Sequence, residues 1–253
     1  MIPHFVTGQF VHRRVFLPDY EYGLALDALV KACSDVLVLS QDEASCFLGR
    51  RRVEPQPDWW FIGGRARPGE TTQDAAARNV RRELGLEVDP ARFMPVATFS
   101  MVWALRNQPP VENGTADTST IHVLVLREGE GTAVKLDEAE YRDARFVPLD
   151  EVLSGDFHPA LQRAVLEFRR TRALSALTES VHHGASEAQV LDASRAFVAA
   201  HVAAANSGPA EQSVLFDGEK YAVVGTMPSS SSSSPSPSAA ASGGPEAEGG
   251  KEL

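Results

Sequence analysis

Cysteine, long apolar runs and surplus basic charge are scarce in this sequence, and each shortage removes a class of protein. Its two cysteines, Cys33 and Cys46, lie in apolar stretches without a partner motif. That argues against a disulfide framework or a thiolate metal site, and reads as two small core residues of a reducing compartment. No apolar run approaches the roughly 20 residues of a membrane span, and the N-terminus lacks the unbroken apolar segment of a secretory signal. The expectation is a soluble, cytoplasmic protein that makes no membrane contact. Organelle import stays open, because the first 18 residues carry Arg13 and Arg14 and no acid, although they also lack serine. With 24 Lys and Arg against 34 Asp and Glu, the net charge of −10 supplies no general attraction to nucleic acid. A polyphosphate ligand would have to be caught by locally placed arginines.

What is present is a 43% hydrophobic chain, enough for a globular core. Composition divides it into an N-terminal segment (1–25), a central domain (26–173), an extension (174–227) and a tail (228–253). Residues 229–244, SSSSSSPSPSAAASGG, cannot bury enough apolar surface to offset their ordering entropy and are expected to be disordered. In the extension, Ser186 and Gln189 open a helix of the capping-box type, and SVLFDGEKYAVV reads as a hairpin turning at Asp217-Gly218. It carries no clustered polar residues and is expected to be a packing or dimerisation element.

The central domain alternates strand and helix signals, an α+β pattern of mixed layers. Residues 35–39 and 46–50 read as strands, and 59–62 as a short apolar run ending at Gly63-Gly64. Residues 72–84 form a helix with Thr71 or Thr72 as N-cap and Gly85 as stop. Further strands are expected over 94–101, 121–126 and 144–148, and an amphipathic helix over 158–172.

The segment WWFIGGRARPGETTQDAAARNVRRELGL matches the Nudix box in register. Gly64 is followed after five residues by Glu70, after seven more by Arg78, and then by Val80, Glu83, Gly85 and Leu86. On these residues the chain resembles the Nudix hydrolase family. The resemblance implies a mixed β-sheet between helices, an α/β/α sandwich. In such a box the helix brings carboxylates three and four apart onto one face, where they converge on cations that neutralise a diphosphate. Here that face is thinned. Asn79 and Arg82 stand where glutamates are usual, leaving Glu83 as the helix's carboxylate at a metal position, and a guanidinium pointing inward there would repel a cation cluster. Arg82 either does so or turns to solvent.

Within the family, the chain is similar to GDP-mannose mannosyl hydrolase, whose box keeps the arginine and last glutamate as RNVRRELGL does. SDVLVL, FLGRR, GTADTSTIH and YRDARFVPLDEVLSGDFH extend the likeness, with the longest departure in residues 104–113. That resemblance implies water attacking the sugar carbon of a nucleoside diphosphate sugar with one Mg²⁺ or Mn²⁺, in a homodimer. Carried over by position, it makes Asp35 a substrate-contacting carboxylate, unless it is a strand-end cap. Arg51 and Arg65 would grip the departing diphosphate. Gly64, Glu83 and Glu140 would hold the metal, and Glu70 and Arg78 would keep the box in shape. Tyr141 falls where the family has its histidine base, yet a phenol of pKa about 10 is a poor base beside an imidazole of about 6.5. Glu138, Asp143 and His122 are alternative bases, His122 also being read as a core residue. One of Trp59, Trp60 and Trp103, chiefly Trp103, is a candidate for stacking on the nucleobase, against a core role. Two other readings stand beside this one: an ordinary pyrophosphohydrolase attacking phosphorus, and a catalytically silent module that binds nucleotide or protein.

Overall fold

The computed structural model describes residues 2–11, 13, 15–134, 136, 139–208 and 211–224. The tail and Glu138 lie outside the described residues. A seven-stranded mixed sheet is built on β1 (Lys31–Leu39). On one side β1 pairs antiparallel with β2 (Ser45–Arg51) and, nearer its start, with β4 (Ile62–Arg65). On the other it pairs parallel with β6 (Thr115–Val125), which carries β5 (Met94–Trp103) at its outer edge. The short β3 (Trp59–Trp60) and β7 (Tyr141–Pro148) complete the sheet beside β2.

Side chains alternate across a strand, so β1 feeds two cores. Val36 and Val38 pack with Ala76, Val80 and Leu84 of α2 (Thr72–Leu84). Leu37 and Leu39 pack with Val152 of α3 (Leu149–Ser154) and with Leu161, Val165 and Phe168 of α4 (Pro159–His182). The result is the α/β/α sandwich that the resemblance implies. Burial of each such aliphatic side chain contributes about 1.5–3 kcal/mol. Helix α2 starts where the sequence indicates. Thr71 and Asp74 form a reciprocal capping box, and Gly85 ends the helix in the left-handed region at φ 69°.

Several elements differ from expectation. The run at 59–62 breaks at Phe61, and its second part continues as β4 through both glycines to Arg65. Strand β6 begins at Thr115, six residues early, because its inward face there is polar (Asp117, Ser119) and hides the apolar alternation. Helix α4 runs on past residue 172 to His182, with α5 (Glu187–Ala205) packed along it. A helix not expected, α1 (Asp19–Ala28), precedes β1 and buries Leu26. The hairpin of β8 (Val214–Phe216) and β9 (Tyr221–Val223) docks on the domain: the Tyr221 hydroxyl donates to Asp58 at 2.9 Å and its backbone N–H to Asp156 at 2.9 Å. Both cysteines are free thiols, Cys46 buried and Cys33 half-buried. Among the described residues no helix is long and apolar enough to cross a membrane.

Candidate functional site

The face of β1 that carries Leu37 and Leu39 into the core leaves it toward the strand's start, where Lys31, Cys33 and Asp35 line a cleft of about 240 Å³. Thr115 and Asp117 of the parallel β6 line the same wall, Met101 and Trp103 extend it, and α1 closes one side with Tyr22 and Leu26.

Asp35 is the floor. It is buried, and Ser119 donates a hydrogen bond to its Oδ2 at 2.7 Å. Burial pushes its carboxyl up to about 6, although the Ser119 hydroxyl and Arg51 pull the other way. Its neighbour Gly63 has no substitute: a Cβ there would stand 2.3 Å from Asp35 Oδ1 and 2.6 Å from the Ser34 carbonyl. The other buried acid of the cleft, Asp117, pairs with Lys31 at 3.0 Å and accepts the Trp103 indole N–H at 2.9 Å.

Guanidinia ring the opening. Arg51 follows a register shift in the β2–β7 pairing and reaches Glu140 at 3.0 Å, while its buried Nε has no hydrogen-bond partner among the described residues. Arg65 lies over the Tyr22 ring, 5.0 Å from its centroid. Arg106, 2% exposed, pairs with Asp27 of α1 at 2.6 Å.

Beneath the cleft the box is tied together. Arg78 grips Glu70 with two bonds of 2.6 and 2.7 Å and donates to the Arg65 carbonyl at 2.9 Å, so the loop and α2 form one unit. Asn79, one turn ahead of Glu83 on the buried face of α2, donates to the Gly64 carbonyl at 3.0 Å. Glu83 itself is enclosed. Its Oε2 receives the Tyr141 hydroxyl and the Gly63 N–H (3.2 Å), and its Oε1 pairs with Arg82, which also donates to the Gly63 carbonyl at 3.2 Å. Burial pushes Glu83 up to about 7, with Arg82 opposing the shift. Tyr141 is buried against Gly49, and its phenol pKa rises through burial and the adjacent Glu83 charge.

The residues named from sequence therefore divide. Asp35, Arg51, Gly64, Arg65, Trp103, Glu140 and Tyr141 line one cleft. Glu83 lies under it behind Tyr141, and Glu70 with Arg78 stands outside. Trp60 also lines the cleft, edge-on to Trp103 with centroids 5.4 Å apart, whereas the Trp59 ring lies against the guanidinia of Arg50 and Arg145. Asp143 is exposed. His122 is wholly buried against Thr72, and burial lowers its pKa to about 4. Sequence reading missed Lys31, Asp117, Arg106 and Tyr22; for Tyr22, the acids Asp19 and Glu21 after Pro18 were a usable helix-start signal.

The NUDIX domain model matches residues 31–168, more than half of the chain. This chain belongs to the NUDIX family. The NAD-capped RNA hydrolase NUDT12 of Homo sapiens is similar at 27% identity over 116 residues, 46% of this chain and 22% of that protein. The NUDT12 of Pongo abelii is 26% identical over the same extent. The match thus spans under a quarter of the length of these curated relatives. Among solved structures, the MutT NUDIX hydrolase from Burkholderia pseudomallei aligns with TM-score 0.45 and 16% identity over 55% of this chain and 98% of that one. The E. coli dihydroneopterin triphosphate pyrophosphohydrolase aligns with TM-score 0.42 and 19% identity, over 55% and 97%. The domain model supports the family, and not the GDP-mannose subfamily that the motif resembles.

NUDIX hydrolases generally use divalent metals such as Mg²⁺ or Mn²⁺. The donor set in this NUDIX box does not fit one. The Gly64 carbonyl accepts from Asn79, the two Glu83 oxygens face Arg82 and Tyr141, and one Glu140 oxygen pairs with Arg51. Among the described residues no group of three or more His, Cys, Asp or Glu side chains could hold a metal ion. A hard cation needs several oxygens turned toward it, and here the Gly64 carbonyl and both Glu83 oxygens already face N–H and O–H donors.

Proposed function

We propose that this NUDIX protein hydrolyses nucleoside diphosphate sugars or closely related nucleotide diphosphates, with water attacking the sugar carbon. The observation that carries this reading is Asp35, a buried carboxylate on the cleft floor with a pKa of about 6, in a cleft that Arg51 and Arg65 also line. Such a group is ionised at neutral pH yet basic enough to accept a proton from water. The water oxygen bonds to the sugar carbon as the carbon–oxygen bond to the diphosphate breaks, the proton passes to Asp35, and the nucleoside diphosphate departs with the electron pair. The guanidinia hold the charge that collects on the leaving group, and the Asp35 carboxylate faces the positive charge that develops at carbon. Attack at carbon suits this site because the nucleophile need not approach the negative oxygens of phosphorus. Trp103, steadied by Asp117, offers its indole to the nucleobase, a stacking contact worth about 1–3 kcal/mol. Glu83, Tyr141 and Glu140 act in this scheme as the support of the box, with Tyr141 a donor and not a base.

One observation favours a second reading, nucleotide capture without turnover: Arg82 and Tyr141 engage both oxygens of the box glutamate. Incubation with GDP-mannose, other nucleotide sugars and NAD in ¹⁸O-water, with and without Mg²⁺, separates the two. NAD belongs in the panel because the relatives named above are NAD-capped RNA hydrolases, and it joins two nucleosides through a diphosphate. Label in the free sugar, read by mass spectrometry alongside phosphorus NMR, is the expected result. Label in phosphate would replace it with ordinary attack at phosphorus, and binding without product would establish the silent module.

A further inference from the structure

Asn79 and Arg82 depart from the box this chain resembles, Tyr141 stands where the resembled subfamily has its histidine, and the fold brings all three onto one set of oxygens. Arg82 Nη2 donates to the Gly63 carbonyl and pairs with Glu83. Asn79 covers the Gly64 carbonyl, and Tyr141 covers the second Glu83 oxygen. The substitutions convert one surface in one direction: lone pairs that would face a cation now face N–H and O–H donors. Charge follows the same pattern. Glu83 is matched by Arg82 and Glu140 by Arg51, so neither carboxylate carries an uncompensated charge to draw in a dication.

We propose that the Arg82 guanidinium takes the place of the divalent cation, so that this protein grips the diphosphate of its ligand directly and without a metal ion. The proposal rests on the diphosphate reading above. Arg82 lies in the last turn of α2, where the helix dipole favours a cation. Its side chain is 47% exposed and lines the cleft, while the Glu83 side chain behind it is 0% exposed, so the guanidinium stands between that carboxylate and any ligand. Its bonds to the box use Nη2, leaving the Nε and Nη1 hydrogens, which lie on different edges of the guanidinium, each to meet a separate phosphate oxygen. Glu83 and the Gly63 carbonyl hold the group from behind, so little side-chain freedom remains to be lost on binding. An independent observation points to the same ligand. Arg51 Nε is buried at the cleft and has no hydrogen-bond partner among the described residues, a donor that an anion would satisfy.

The full-length protein tests this with two probes. Mn²⁺ is followed by the electron paramagnetic resonance of the free ion, with protein in excess. The wild type is expected to leave that signal undiminished, and Arg82→Glu, which removes the guanidinium and adds a carboxylate beside Glu83, to quench it. Inorganic pyrophosphate is followed by calorimetry in EDTA. The wild type is expected to bind it, and Arg82→Gln, which keeps hydrogen-bonding capacity without charge, to bind about tenfold or more weakly. Stoichiometric Mn²⁺ binding by the wild type overturns the proposal whatever pyrophosphate does. Pyrophosphate binding that appears only when Mg²⁺ is supplied overturns it too, while leaving the diphosphate reading intact. Absence of pyrophosphate binding both in EDTA and with Mg²⁺ removes the diphosphate reading and the role of Arg82 together.

Discussion

Ser119 donates its hydroxyl to Asp35 at 2.7 Å across the parallel pairing of β6 on β1, and both side chains are buried. The bond favours the ionised carboxylate, so its loss shifts Asp35 toward the protonated form. If Asp35 is the base, kcat/KM rises with pH through about 6 and then levels. Ser119→Ala is expected to move that rising limb to higher pH. A limb that stays in place would show that some other group controls it.

The same shift links Asp35 to stability. Its folded pKa of about 6 lies above the ordinary 3.8 of an aspartate, so its contribution is fully present below about 3.8 and is lost as pH rises through 6. Asp35→Asn removes this dependence. Urea unfolding of both proteins from pH 4 to 7 should therefore show the stability of the wild type falling relative to the variant as pH rises, and a constant difference would contradict the raised pKa.

Arg78 and Glu70 tie the box loop to α2 by a two-pronged pair whose side chains are 19% and 17% exposed. Arg78→Lys keeps the charge and loses the fork. Destabilisation of about 2 kcal/mol is expected from chemical unfolding. An effect under a few tenths would mean that the loop is held by other contacts.

Gly49 makes room for the Tyr141 ring, since a Cβ there would stand 2.5 Å from two ring carbons. Gly49→Ala should cost about 1–3 kcal/mol through overpacking. In a Tyr141→Ala background the same change should cost much less, because the two residues share one volume. Equal costs in the two backgrounds, by thermal or urea melts, would refute the contact.

Tyr221 fastens the β8–β9 hairpin to the domain through Asp58, Gln56 and Asp156. Tyr221→Ala is expected to abolish amide-exchange protection across Val214–Phe216 and Tyr221–Val223 while protection in β1 persists. Simultaneous loss in β1 would instead make the hairpin part of the domain's cooperative core.

Some of this is legible in the sequence alone. Helix α2 declared itself because its cap, Thr71 with Asp74, and its stop, Gly85, are local interactions within a few residues. Strand β6 was read too short for the opposite reason: Asp117 and Ser119 point inward but face a polar cleft, so burial and polarity do not alternate together. The extent of α4 was hidden because its second half packs on α5, and that partner is distant from the apolar stripe facing the sheet.

The sequence by itself determined the family, the box register and the periodicities that make an α/β/α sandwich, because these depend on residue type and short spacing. It also established that Asn79, Arg82 and Tyr141 are unusual at their positions. Only the tertiary structure decided that Arg82 turns toward the Gly63 carbonyl and that Tyr141, 58 residues on from Glu83, gives its hydroxyl to that carboxylate. Hydrogen-bond partners so far apart along the chain are chosen by how strands and helices pack, and no local preference of the residues involved encodes that choice.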